Sequence, residues 1–291
     1  FETGNVLIGS VSRLYMSNKC LLIADHKSVD KQIHIFNKND FSYLTSIGNF
    51  GEGPEEITVM GCLAIDEAHH QLYVSDHAKQ KIFSYEMDSV MVDSLYKPQV
   101  KTAMNETLFP SEYQYINDTL SIAVLIKPTS TSTFNQFLGR WNMNTGEMIP
   151  MKYTHPDIQK KRITFAASEK AGIYVECYTR HDLMTICSLD GELLYNIYGP
   201  DWDGGNGNKL QSFGTVMIGN DKIFVSYCGE DYARDSFPTK ILVFDLEGNY
   251  LKTLETGYKI SDCCYDSFNN RIILSLNDVV QFAYLDIDGI I

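Results

Sequence analysis

Three observations predict an all-β chain folded as a six-bladed β-propeller with four-stranded antiparallel blades. Short apolar segments rich in Tyr, Phe, Val and Ile recur throughout, and none carries a helical stripe over several turns. The segments are punctuated by six turns: Asn37-Lys-Asn-Asp40, Glu86-Met-Asp-Ser89, Asn142-Met-Asn-Thr-Gly146, Leu189-Asp-Gly191, Asp245-Leu-Glu-Gly248 and Asp286-Ile-Asp-Gly289. Asp, Asn and Gly tolerate the left-handed conformations that tight hairpins need. From Asn39 to Gly289 these turns span 250 positions in five intervals, a mean of 50, which suits the roughly 40–50 residues of a four-stranded blade. The 291 residues are therefore expected to form a single domain.

Each blade should run from an inner strand a through b and c to an outer strand d. In the first repeat the inner strand is expected near 12–16. In the second the four strands are read at 62–66, 71–76, 81–87 and 90–96. The third carries a Ser/Thr-rich insertion at 127–135, which leaves five or seven blades as alternatives, and Trp141 is read as a core residue of its strand c. The fourth is read at 163–167, 172–178, 184–189 and 192–198, and the fifth at 215–219, 222–227, 241–246 and 250–254. The sixth offers only 260–265, 271–276 and 279–286 before the chain stops. Because an unpaired edge invites aggregation, the segment 5–8 is expected to supply the absent strand and close the ring.

The segment Ile47-Gly-x-x-Gly-x-Gly-Pro-x-Glu56, an inner strand ending in Asp66, and Leu72-Tyr-Val-x-Asp76 followed by Lys81-Ile-Phe-x-Tyr85 together resemble the TolB-like six-bladed propellers. As a repeat pattern the resemblance spans nearly the whole chain, although Glu55 stands where Gly is common after the proline. It implies an exported protein of the periplasm or outer membrane, lipid-anchored through a removed N-terminal segment, with a binding or scaffolding role. It supplies no catalytic residues.

Composition narrows the partners. Lys plus Arg number 24 against 37 Asp plus Glu, a net charge of −13. A surface that acidic repels phosphate backbones, so nucleic acid is not expected as a partner. No apolar run approaches the roughly 18 residues of a membrane-spanning helix. The chain begins at Phe1 without Met, as a processed product would. Seven cysteines with no C-x-x-C motif sit mostly inside apolar strands, and they are read as free core thiols in preference to a zinc site or disulfides.

In a propeller the d-to-a and b-to-c connections share one face around the channel mouth. The b-to-c connections hold Asp25-His26-Lys27 and Asp76-His77-Ala-Lys79, with histidines 51 residues apart, then Arg180-His181-Asp182 and the segment Glu230-Asp231 to Arg234. The d-to-a connections add Glu52, Glu55 and Glu56, then Asp201 and Asp203 flanking Trp202. The ligand-binding candidates are thus Asp25, His26, Glu52, Glu55, Glu56, Asp76, His77, Arg180, His181, Trp202, Glu230, Asp231 and Arg234. Imidazole and carboxylate suit divalent cations and acid–base couples, while Asp and His also end strands simply because they accept turn geometry.

The expected function is non-catalytic binding of a small molecule, glycan or protein at this mouth. The alternatives are a metal-assisted lyase or hydrolase and a protein-interaction scaffold. No cofactor is expected, with a divalent metal, calcium or a transition metal, as the alternative. The loop Asp201-Trp-Asp-Gly-Gly-Asn-Gly-Asn208 has calcium-type oxygens, but Asn206 stands where the loop glycine belongs and Ser212 replaces the bidentate Glu. It is read as a glycine-rich loop. Nucleophile signatures such as G-x-S-x-G and H-E-x-x-H do not occur.

Overall fold

In the computed structural model, which describes residues 1–207 and 209–291, the strands form six antiparallel meander sheets, the blades of a six-bladed β-propeller. Four of the six turns read from sequence close c-to-d hairpins, while 86–89 starts a turn of helix and 286–289 follows the last strand. Five sheets have four strands and the last has three. The chain divides into two compact units, Phe1–Pro150 and Met151–Ile291, with three blades each.

In the first unit, blade 1 comprises Ser12–Met16, Cys20–Asp25, Lys31–Asn37 and Tyr43–Asn49. Blade 2 comprises Met60–Asp66, Gln71–Asp76, Lys81–Glu86 and Gln99–Ala103. Its outer strand lies beyond the expected 90–96. That segment instead follows one helical turn, Met87–Val90, whose first amides are capped by the Glu86 carboxylate. Val90 is buried while Val92 and Leu95 face solvent, so the apolar run there does not mark a strand. Blade 3 comprises Phe109–Asn117, Leu120–Pro128, Phe134–Trp141 and Met148–Pro150. The Ser/Thr insertion merely extends its central hairpin, whose pairing runs out to Pro128 and Phe134.

In the second unit, blade 4 is Ile163–Ser168, Ile173–Tyr178, Leu183–Ser188 and Leu193–Tyr198. Blade 5 is Leu210–Gly219, Lys222–Asp231, Lys240–Asp245 and Tyr250–Glu255. Its two inner strands are longer than expected. Blade 6 is Ile260–Asp266, Arg271–Leu276 and Phe282–Asp286, without an outer strand of its own. Residues 5–8 belong to no strand of the six sheets.

Middle strands are covered on both faces, which is why they read as continuous apolar runs without strict alternation. All six residues of Cys20–Asp25 are buried. Leu22, Ala24 and Ile33 of blade 1 pack on Leu63, Val74 and Phe83 of blade 2. Val175 and Ile186 of blade 4 meet Phe213, Val216 and Val225 of blade 5 in the same manner. Trp141 is core, with its ring edge-on to Tyr113 at 5.2 Å between centroids. All seven cysteines are free and buried, and burial pushes the thiols of Cys62 and Cys187 up to about 11.

The loop ends of the blades are tied by carboxylates. Asp76, fully buried, ends strand b of blade 2. It accepts from the amides of Thr58 (2.8 Å) and Val59 (3.2 Å) ahead of strand a, and of Ala78 (3.0 Å) and Lys79 (3.2 Å) after strand b. In blade 1, Asp25 does the same for the Gly9 amide at 2.7 Å and the Lys27 amide at 3.0 Å. Removing one such acceptor strands several donors away from water. Asp76→Ala is therefore expected to lower unfolding stability by about 3 kcal/mol or more in denaturant titration, while the exposed Glu247→Ala changes it by less than about 0.5 kcal/mol. Equal stabilities would contradict the role given to Asp76.

Candidate functional site

Strand register fixes which connections share an end. In blade 4, Ile163 pairs with Tyr178 and Leu183 with Tyr198, so residues 160–162, 179–182 and 199–207 emerge together. Blade 5 presents its own connection at the same end, since Leu210 pairs with Asp231 and the Ser212 amide donates to the Thr179 carbonyl at 3.0 Å. In the first unit, pairing of Ser12 with Asp25 and of Met60 with Asp76 likewise brings residues 25–27, 50–59 and 76–79 to one end. Within each unit the b-to-c and d-to-a connections converge.

In the first unit most of the candidate side chains act on their own loops. Asp25 and Asp76 are buried backbone acceptors, as described above. Glu56 folds back to accept the Gly53 amide at 2.8 Å, and the Lys79 ammonium donates to the Gly53 carbonyl at 2.6 Å and to that of Glu56. Glu55 pairs with the exposed Lys97 at 2.8 Å, and Glu52 faces solvent. The Gly-Glu-Gly-Pro segment is thus a self-closed loop that delivers fully buried Ile57 to the core between blades 1 and 2.

His26 and His77 occupy equivalent positions in these blades. The Nδ1 of His26 lies 3.2 Å from the Met60 carbonyl, while His77 packs over Gly61, where a Cβ would collide with its ring, and edge-on to Phe109. Each has a buried Nε2 with no hydrogen-bond partner. Nearby, Arg13 of blade 1 forms a 3.0 Å ion pair with Glu112 of blade 3, two inner-strand residues that turn-based reading passes over.

The second unit holds the more open site. A cleft of about 830 Å³ lies at the connection end, lined by Asp157, Lys160, Arg162, Arg180, His181 and the glycine-rich run 204–207. Between the lining residues Lys160 and Arg162, Lys161 turns into the core to a buried pair, Lys161 Nζ to Glu176 Oε1 at 2.6 Å, with the Tyr178 hydroxyl donating to the other carboxylate oxygen at 3.0 Å. The 201–207 loop is held from below by Asp182, which accepts from the Asp201 amide at 2.9 Å and from the Tyr227 hydroxyl at 3.3 Å. Asp203 then closes the loop through the Gly207 amide at 2.7 Å. Asn208 lies outside the described residues. Gly207 has φ +52° and lies against the His181 ring, so a side chain there would be both strained and obstructed.

Of the candidates in this unit, Arg180 and His181 line the cleft. Arg180 lies over Tyr232, its guanidinium carbon 3.1 Å from the ring centroid. Trp202 packs instead with Tyr198, His155 and His181, at 5.0, 5.4 and 6.0 Å between centroids. Glu230 pairs with Arg234 at 3.1 Å in solvent, and Asp231 caps the short helix Tyr232–Arg234. Lys160 and Arg162, which the sequence reading passed over, belong to a basic run, Gln159-Lys-Lys-Arg162, that stands out in so acidic a chain.

Metal-type ligands converge elsewhere. Among the described residues, Asp66, His69 and Asp118 form the one group of three or more whose ligand atoms lie within 4.8 Å of one another. It sits at the opposite, a-to-b hairpin end of blades 2 and 3. His69 Nδ1 is 2.8 Å from Asp66, and the Tyr73 and Tyr115 hydroxyls donate to Asp66 and Asp118 at 2.9 and 2.7 Å. Burial raises the Asp66 carboxyl, but bonds from His69 and Tyr73 hold it below its usual value. A hydrogen-bonded set of this kind accounts for the grouping without an ion. A second cavity, about 410 Å³, lies at that same end of blades 1 and 2, between Lys19, Leu22, Ile65, Leu72, Met87 and Met91.

Comparison with known proteins agrees with this architecture. A family described as a 6-bladed beta-propeller, DUF5128, matches residues 2–137. No curated protein matches the chain. Among solved structures, a member of the DUF4221 family from Bacteroides vulgatus is 10% identical with a TM-score of 0.63, covering 94% of this chain and 92% of its own. A candidate exported protein from Bacteroides fragilis is 14% identical with a TM-score of 0.58, covering 94% and 81%. The Cps50 (Swd1) β-propeller domain of Myceliophteria thermophila is 9% identical with a TM-score of 0.59, covering 98% and 99%. At these identities the likeness concerns the fold alone. Among the described residues no helix is long and apolar enough to cross a membrane.

Burial holds the imidazoles of His26, His34, His77, His155 and His181 below the usual histidine range, in each case against or beside smaller charge effects. Exposed His69 is shifted the other way by its bond to Asp66. Below about pH 6.5 the unfolded chain takes up protons that the folded chain refuses at those five positions, so their contribution to stability falls as pH falls. The thermal midpoint is expected to drop between pH 7.5 and pH 5, and less steeply in His77→Gln. An unchanged slope in that variant would mean that His77 titrates normally in the folded protein.

Proposed function

We propose that this chain is a non-catalytic binding protein, one propeller domain exported from the cytoplasm, that holds a small molecule or glycan in the cleft of its second unit. The observation that carries the reading is that cleft: an opening of about 830 Å³ whose walls are fixed by backbone hydrogen bonds and a buried ion pair. Ligand sites are concave, largely pre-formed and few per protein, and propellers place them on connections carried by rigid blades. Export is supported by the description of the Bacteroides fragilis neighbour as an exported protein; attachment to the outer membrane belongs to the same reading by its resemblance to the TolB-like propellers.

Thermal-shift screening against neutral and charged sugars and small metabolites tests the proposal. At least one compound is expected to raise the midpoint saturably, as a ligand of the folded state must. Gln159→Trp, which puts a bulky ring at an exposed residue of the cleft lining, should abolish that rise without lowering the midpoint of the unliganded protein. Binding that survives this substitution, or bound density in the apolar cavity of the first unit, would move the site elsewhere.

A further inference from the structure

Net charge describes the chain, and the cleft departs from it. Among the residues lining it, Lys160, Arg162 and Arg180 are cationic and Asp157 is the one carboxylate. Asp203, with a half-exposed side chain, has an oxygen 3.9 Å from His181 Nδ1 and accepts the Gly207 amide with the other. The lining is therefore positive at neutral pH on a protein of net charge −13. Neither Lys160 nor Arg180 forms an ion pair with any described carboxylate, although acidic residues outnumber basic ones by 37 to 24.

The surroundings position these cations at the cleft. Arg180 is held with its guanidinium carbon over the face of Tyr232, a favourable cation–π contact that positions the charged group at the cleft. Arg162 is steadied by donating to the Lys161 carbonyl at 2.7 Å. Lys161 between them turns inward to Glu176, so the two cationic neighbours in sequence face outward around a fixed point. Gly204, Gly205 and Gly207 supply backbone without side chains, and the His181 ring, against Gly207, has a buried Nδ1 with no hydrogen-bond partner.

Resting on the binding role given above, we infer that the ligand of this cleft carries an oxyanion, a carboxylate, sulfate or phosphate group, received by Lys160, Arg162 and Arg180. Charge-assisted bonds of guanidinium and ammonium to such groups are among the strongest a solvated cleft can offer. The acidic remainder of the surface acts as a filter: screening over about 8–10 Å confines the attractive potential to the cleft itself.

Isothermal titration with inorganic phosphate, inorganic sulfate and citrate, in chloride buffer at constant ionic strength, tests this. At least one of the three is expected to bind saturably. Arg180→Ala and Lys160→Ala should each weaken it about tenfold or more. Arg180→Lys should recover only part of the loss, because it keeps the charge and loses the planar fork. Lys81→Ala, an exposed cation of the first unit, serves as control and should change nothing. The thermal midpoint of each variant shows whether it is folded. Preference for citrate assigns a carboxylate ligand, and preference for sulfate or phosphate a tetrahedral one. Absence of binding by all three, or binding indifferent to Arg180→Ala, overturns the inference. If neutral compounds alone stabilise the protein and Gln159→Trp abolishes that effect, the binding role stands and the oxyanion does not.

Discussion

Blades in a propeller are held face to face by apolar packing, but their loop ends must satisfy amides that no sheet pairs. A buried aspartate at the end of strand b answers this need here. Asp25 and Asp76 gather amides from the chain entering strand a and from the turn leaving strand b. Asp182, the last residue of the corresponding turn of blade 4, binds the Asp201 amide and so tethers the outgoing loop. Burial raises its carboxyl above the usual range in spite of that bond, as expected where desolvation outweighs the hydrogen bonds received. The carboxylates keep the connections from behaving as free loops.

At the opposite end the same residue type solves the complementary problem. Asp66 caps the His69 amide and receives Tyr73, while Asp266 caps Phe268 and Asn269 and holds the Arg271 guanidinium at 3.2 Å. His70, Asn220 and Asn270 adopt positive φ in their a-to-b hairpins, where polar residues tolerate the left-handed region best. An acidic composition is thus partly structural. Many of the 37 acidic side chains are consumed in capping, and the net charge they create says little about the chemistry of the cleft.

Much of the fold was legible because hairpin chemistry is local. The Asp-Gly and Asn-rich turns set the repeat, and strands 71–76 and 222–227 were read at or within their observed limits. The outer strand of blade 2 was misplaced because Val90, Met91, Val92 and Leu95 have strand-like composition, while the Glu86 cap and the docking of Val90 and Tyr96 impose a turn of helix. Arg180 and His181 were found from their place in a b-to-c connection. Lys160 and Arg162 were not, since whether a basic run faces solvent, core or cleft depends on the inward turn of Lys161 toward Glu176, a tertiary contact 15 residues away in sequence. Trp202 shows the converse, for a ring flanked by aspartates packs on Tyr198 and two histidines.

The account depends on connections fixed by buried carboxylates, and amide hydrogen exchange reads that directly. The amides of Thr58, Val59, Ala78 and Lys79 lie outside the strands, so protection there comes from Asp76. In the native protein these four should exchange far more slowly than unstructured amides, and in Asp76→Asn they should speed up together while the amide of Ser42, held by Asp40, keeps its rate. Exchange at unstructured rates in the native protein, or identical rates in the two proteins, would contradict it.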